Sequence, residues 1–196
     1  MNTIYNHEGT EKQKNGISSY NRFDVNLVFE KLDLKEGYSF LDIGCGAGDY
    51  SIKASQIVGE LGMVYALDQW KEIENRLNNK TKLLGIKNLI ALTSDIKDRI
   101  PLDDKTCDLC FICTVIHGID LSKYGKNLFK EIHRIIKKKG KLAIIEIKKE
   151  ETSFGPPMEI RLSTDEIKAI TIKYGFKQIS YTDLDSFYMM EYGVAK

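Results

Sequence analysis

Apolar positions along this chain follow two alternating rhythms. Short, nearly unbroken apolar runs recur at 39–43 (SFLDI), 63–68 (MVYALD), 89–95 (LIALTSD), 107–115 (CDLCFICTV) and 141–147 (KLAIIEI). Runs of this length, bounded by glycine or polar residues, read as buried strands. Stretches with helical spacing lie between them. Residues 23–32 place apolar side chains at helical intervals behind Asp24, a candidate cap. A second helix is expected from about Gly48 to Val58, stopping near Gly59 and Gly62, and a charged one over 71–84 ahead of Gly85. The clearest stripe runs over 121–137, where Leu128, Ile132, Ile135 and Ile136 follow the i, i+4, i+7, i+8 pattern and Gly140 is expected to end the helix. Residues 96–106, with Pro101, form a connector, and a further helix is expected near 163–174.

Strand and helix alternate five times, which predicts an α/β fold with a parallel sheet covered by helices on both faces. The ending differs. FKQISYTDLD and SFYMMEYGVAK are strand-like runs joined by a short turn, so they should form an antiparallel hairpin. The expected organisation is a polar, flexible arm or lid over 1–22 and a single domain over 23–196. The Tyr and Met residues of the final run offer a face for a homodimer.

Charge and cysteine usage narrow the partners. A formal net charge of +1 supplies no global field for nucleic acid or an anionic membrane. No apolar run reaches the roughly 18–20 residues of a membrane span, and the N-terminal residues lack the apolar core of a signal peptide, so a cytoplasmic protein is expected. Cys107, Cys110 and Cys113 are spaced as a metal motif. They fall inside a buried strand, however, where alternation would put Cys107 and Cys113 on one face and Cys110 on the other. No metal site is expected.

The candidate chemistry begins at FLDIGCGAGDYS, residues 40–51. An apolar run ends in Asp42, and Gly44, Gly46 and Gly48 follow on alternate positions before a helix. Such a turn lets a ligand approach bare backbone N–H groups. The dinucleotide pattern G-x-G-x-x-G would need glycine at 49, where the chain has aspartate; the pattern is D-x-G-x-G-x-G. Acids recur where the next two strands end: Asp68 in YALDQW and Asp95 in LTSDI. Each could also cap the turn or helix that follows. Trp70, the only tryptophan, either covers a bound ring or packs on the surface.

This combination resembles the class I S-adenosylmethionine (SAM)-dependent methyltransferases over roughly residues 24–196, with a nearer likeness to the ubiquinone/menaquinone-biosynthesis and arsenite-methyltransferase branch. The resemblance implies a Rossmann-like seven-stranded sheet in the order 3-2-1-4-5-7-6, with strand 7 antiparallel. It assigns SAM, with product S-adenosylhomocysteine, to Asp42, Gly44, Cys45, Gly46, Gly48, Asp68, Gln69, Asp95, Ile96, Cys113 and Thr114. It puts the glycine turn against the methionine part, Asp68 on the ribose, Asp95 and the Ile96 N–H on the adenine, and Thr114 and Val115 under the sulfonium.

The acceptor would enter past strand 4, at CTVIHGID. His117 sits there and is a candidate general base, or a loop histidine bonded to backbone. Many such enzymes need no base, since placing the acceptor in line supplies most of the catalysis. The Pro-Pro-aromatic element of enzymes that methylate adenine in DNA is replaced by Thr114-Val115-Ile116-His117, which argues against nucleic acid. The lysines at 137–139 and 141 read as a solvated helix C-terminus away from the site. Tyr20, Arg22, His117, Glu146 and Arg161 are the candidate contacts for a small-molecule methyl acceptor. Arg161 would bind an acidic acceptor or pair with Glu159, and residues 20–23 would close as a lid. Two other classes stay open: a non-catalytic SAM-binding regulator and a nucleotide-dependent oxidoreductase.

Overall fold

The computed structural model describes residues 18–195. Helix α1 (Val25–Leu32) starts at Asp24, whose carboxylate accepts from the N–H groups of Asn26 and Leu27, a cap worth about 1 kcal/mol. The chain then alternates: β1 (Ser39–Ile43), α2 (Asp49–Val58), β2 (Met63–Asp68), α3 (Lys71–Leu83), β3 (Leu89–Thr93) and β4 (Cys107–Cys113). A 3-10 turn (Ile116–Gly118) leads to α4 (Leu121–Ile135), followed by β5 (Ile136–Ile147). Helix α5 (Thr164–Lys173) opens with a complete capping box between Ser163 and Glu166. The hairpin of β6 (Phe176–Leu184) and β7 (Phe187–Val194) completes one sheet in the order β3-β2-β1-β4-β5-β7-β6. Strands β1 to β5 pair in parallel, and β7 runs antiparallel to both β5 and β6.

The sheet separates two apolar layers. Val28 and Phe29 of α1, Tyr50 and Ala54 of α2, and Ile73 and Leu77 of α3 pack with Phe40, Phe111 and Met189 on one face. Phe129 and Ile132 of α4 and Ile167 of α5 pack with Leu41, Ile112 and Met190 on the other. Because the first five strands are parallel, their carboxyl ends lie along one edge, where ligands sit in open sheets of this kind.

Four expectations are corrected. The helix stops at Ile135 rather than 137, and β5 begins at once with Ile136 paired to Cys107. The lysines at 137–139 therefore lie in a strand, not at a helix terminus, and Lys137 Nζ lies 2.7 Å from the Asp108 carboxylate. Gly140 makes this possible, since a Cβ there would meet the Asp108 carbonyl at 2.8 Å and the Cys107 carbonyl at 3.0 Å. Second, the ladder slips between Cys107 and Leu109, so alternation breaks: Cys107 joins Cys110 in the α4 layer, and Cys113 faces the other layer. Third, β3 ends at Thr93 and β4 at Cys113, two residues short of expectation in each case. Fourth, β7 is flanked by β5 and β6, which buries Tyr188, Met189, Met190 and Tyr192 almost completely. That removes the face on which a homodimer was argued.

Candidate cofactor and acceptor site

The glycine turn is held from below by β2. The N–H groups of Gly44 and Cys45 both donate to the Leu67 carbonyl, at 2.8 and 3.0 Å, and Gly46 N–H donates to Asp68 Oδ2 at 3.0 Å. Gly44, at φ 74°, has no room for a side chain, since a Cβ would come within 2.5 Å of Val115 Cγ2. The turn thus presents backbone at the carboxyl edge, with Val115 from beyond β4 packed against it. Cys45 is buried, and burial raises its thiol pKa.

Asp68 closes β2 and also receives the Trp70 N–H on Oδ1 at 3.2 Å. Burial raises its pKa against the lowering effect of these backbone donors. A carboxylate has about four lone-pair positions, so acceptor capacity remains for a hydroxylated ligand. Gln69 beside it is exposed, and Trp70 packs half-buried against the α1–α3 layer. The turn after β3 is tied to this end by Ser94 N–H, which donates to the Asp68 carbonyl at 2.9 Å. Asp95 lies in that turn, accepts from Lys97 N–H at 2.9 Å and pairs with Lys97 Nζ at 3.2 Å; Ile96 follows it half-buried. Asp42 is different. It is 2% exposed, accepts from Ser51 Oγ at 2.5 Å, and burial pushes its pKa up to about 7. It braces the start of α2 and is not open to a ligand.

Beyond β4 the backbone turns through Thr114 at φ 55°, a left-handed conformation that is unusual for a β-branched residue. Strain of this kind concentrates at functional sites. Cys113 just before it is met by Ser19 Oγ at 3.1 Å and by Tyr50 Oη at 3.6 Å, while Ser19 and Tyr50 lie 3.3 Å apart. Burial pushes the Cys113 thiol up to about 12, so it stays protonated. The segment 18–23 is thereby docked on the strand ends. Tyr20 meets the Tyr50 ring edge-on at 5.1 Å, Phe23 meets Phe187 at 5.0 Å, and the Arg22 guanidinium lies 5.3 Å from the Phe154 ring centre. The remainder of the expected arm, residues 1–17, lies outside the described residues.

The five candidate acceptor contacts separate into groups. Tyr20 and Arg22 lie on this docked segment. His117 and Glu146 face each other, with Nδ1 2.7 Å from Oε2; the carboxylate is fully buried and the imidazole is 18% exposed. Arg161 is 4% exposed and donates to four carbonyls of one loop, those of Lys148, Glu150, Phe154 and Pro156, at 2.6–3.2 Å. Its fork organises the loop from within, so neither an acidic acceptor nor Glu159 takes it up. The loop shelters a cleft of about 800 Å³ lined by Thr152, Phe154, Pro157 and Met158. Sequence reasoning missed Ser19, Tyr50 and Ser51. Only the position of Tyr50 and Ser51 in the first turn after the glycines hinted at a role.

A family model described as "Methyltransferase domain" matches residues 34–182. Among curated relatives, the ubiquinone/menaquinone biosynthesis C-methyltransferase of Blochmanniella floridana is 30% identical over 121 residues, covering 61% of this chain and 46% of the relative. A probable cobalt-precorrin-6B C(15)-methyltransferase (decarboxylating) of Saccharolobus solfataricus is 34% identical over 122 residues, covering 60% and 57%. The chain spans about half the length of these curated relatives. The crystal structure of a SAM-dependent methyltransferase from Aquifex aeolicus superposes with a TM-score of 0.82 at 35% identity, covering 92% of this chain and 95% of that one. With the family model spanning most of the chain and the sheet order reproduced, this chain belongs to the methyltransferase-domain family and has the fold of the SAM-dependent methyltransferases.

Proposed function

We propose that this protein transfers a methyl group from SAM to a small-molecule acceptor and releases S-adenosylhomocysteine. The observation that carries this reading is the linked pair of strand ends: a bare glycine turn after β1, bonded through Gly46 N–H to a carboxylate after β2 that keeps acceptor capacity. The turn would take the amino-acid portion, Asp68 the ribose hydroxyls, and Asp95 with the Ile96 N–H the base. Thr114 and Val115 would lie under the reacting centre. When bound, SAM supplies an electrophilic methyl group; the chain's own part is to align the acceptor and exclude water.

The small-molecule class is supported by the curated relatives, whose names specify carbon methylation of quinone and corrin precursors, and by a net charge that gives nucleic acid no foothold. Segment 18–23 and the loop carrying Phe154 would cover the acceptor as a lid. Among the described residues no helix is long and apolar enough to cross a membrane. Four free, buried thiols suit the reducing cytoplasm, where we place the protein.

Calorimetric titration tests the reading directly. SAM and S-adenosylhomocysteine should bind in the micromolar range, and Asp68→Ala and Asp95→Ala should each weaken binding at least tenfold. Failure of both ligands to bind the wild-type protein would overturn the reading.

A further inference from the structure

The His117–Glu146 contact joins two elements that the sequence keeps 29 residues apart. Glu146 stands near the carboxyl end of β5, between β4 and β7 in the sheet, and its side chain has no exposed surface. Three donors reach it. Oε1 accepts from the Ile116 N–H at 2.8 Å and the His117 N–H at 3.3 Å, and Oε2 meets His117 Nδ1 at 2.7 Å. The carboxylate therefore fixes both the backbone of the 3-10 turn and the imidazole ring that the turn carries. Cys113 on β4 and Tyr188 on β7 are the other titratable groups that feel its charge. Burial keeps both neutral at physiological pH, and no lysine or arginine among the described residues pairs with Glu146.

This arrangement sets the ring's tautomer. A buried carboxylate accepts and does not donate, so Nδ1 carries a proton and, in the neutral ring, Nε2 holds the free lone pair. Among the described residues Nε2 has no hydrogen-bond partner, yet no buried side-chain nitrogen or oxygen is left unpaired. Nε2 must therefore be on the exposed edge of the ring. Here one nitrogen is locked by a fully buried acid and the other is presented outward, just past β4.

From this geometry we infer that His117 and Glu146 form a proton-accepting pair, with Glu146 as the positioning residue, and that the methyl acceptor is a nucleophile that must lose a proton, such as a phenolic or enolic hydroxyl or an activated C–H. The inference rests on the methyl-transfer reading and specifies its substrate class. The acceptor's X–H bond breaks and its proton passes to Nε2. Its electron pair forms the X–CH3 bond while the methyl–sulfur bond breaks with its pair going to sulfur. The imidazolium is then held by the Glu146 carboxylate until Nε2 releases the proton to solvent. Thioethers and tertiary amines, which attack without losing a proton, would have no use for such a pair.

Two measurements on the purified protein test this without an identified acceptor. Long-range proton–nitrogen NMR of wild type, with His117→Ala for assignment, should show the Nδ1-protonated tautomer. Carbethoxylation by diethyl pyrocarbonate, followed by mass spectrometry, should mark His117 and slow at least fivefold in Glu146→Gln. A wild-type ring protonated on Nε2, or a His117 that resists the reagent, overturns the inference even if Glu146→Gln fails to fold. Titration of wild type with S-adenosylhomocysteine judges the other level separately: absent binding removes the methyl-transfer reading, while the tautomer result still decides whether the pair exists.

Discussion

The two halves of the carboxyl edge are built in opposite ways. At β1–β3, the candidate cofactor site rests on backbone: the N–H groups of the glycine turn are tied to the Leu67 carbonyl and to Asp68, and Asp68 and Asp95 are steadied by main-chain donors while keeping acceptor capacity. At β4–β5, the edge rests on charged side chains turned inward. Glu146 holds a turn, Arg161 holds a loop, and little of either reaches solvent. The first half suits a ligand of fixed structure. The second is a set of internally braced loops whose contents can vary while their supports stay constant, which suits function carried on loops over a rigid sheet.

The contrast can be broken most forcefully at Arg161. Arg161→Ala leaves four loop carbonyls without their shared donor, and denaturant unfolding should show a loss of about 2–4 kcal/mol. Arg161→Lys should recover less than half of that, because an ammonium lacks the planar fork. A loss under 1 kcal/mol in the alanine variant would mean that water replaces the guanidinium and that the loop is not braced from within.

Asp42 sharpens the other half. Its carboxyl binds a proton more tightly folded, at about 7, than unfolded, near 4. Its contribution to stability is therefore complete below pH ~4 and is lost as pH rises through about 7. Burial is the main cause; the charges of Asp68 and Asp49 add to it, and the Ser51 hydrogen bond opposes it. Stability should fall by about 2 kcal/mol between pH 5 and pH 8 from this group, and Asp42→Asn should flatten that slope. An unchanged slope in the variant would assign the pH dependence elsewhere.

The smallest expected effect lies at the junction of the halves. Thr114→Gly should relieve the left-handed backbone and raise stability by about 1 kcal/mol. If it also weakens S-adenosylhomocysteine binding, the strained turn serves the ligand; if binding is unchanged, the strain serves only the chain's path.

Legibility in the sequence followed the same division. The boundaries of β1 and β2 could be read because each run is short, apolar and stopped by glycine or acid. The candidate cofactor residues could be singled out because a glycine-rich turn and strand-terminal acids are local patterns. The start of β5 was not. The apolar stripe of α4 runs on through Ile135 and Ile136, and only the pairing of Ile136 with Cys107 turns the second of these into a strand residue. The same slip in the ladder decided which layer Cys107 joins. Arg161 was misjudged because its partners are carbonyls, which every residue possesses and no sequence marks. Glu146 was placed at the right edge, but that its carboxylate turns inward to a histidine 29 residues earlier is a fact of packing.

The position of β7 carries a consequence for how the molecule comes into being. Strand β6 pairs only with β7, and β7 is what joins it to the parallel strands. During synthesis, residues 1–186 can emerge with β1 to β5 able to assemble, yet β6 has no place to attach and β5 keeps a bare edge. An unpaired strand edge of this kind invites pairing with another chain. The sheet is thus most open to aggregation while residues 187–194 are missing from it, and their insertion pairs β5 and β6 in a single event, leaving β6 as the sheet's edge on that side.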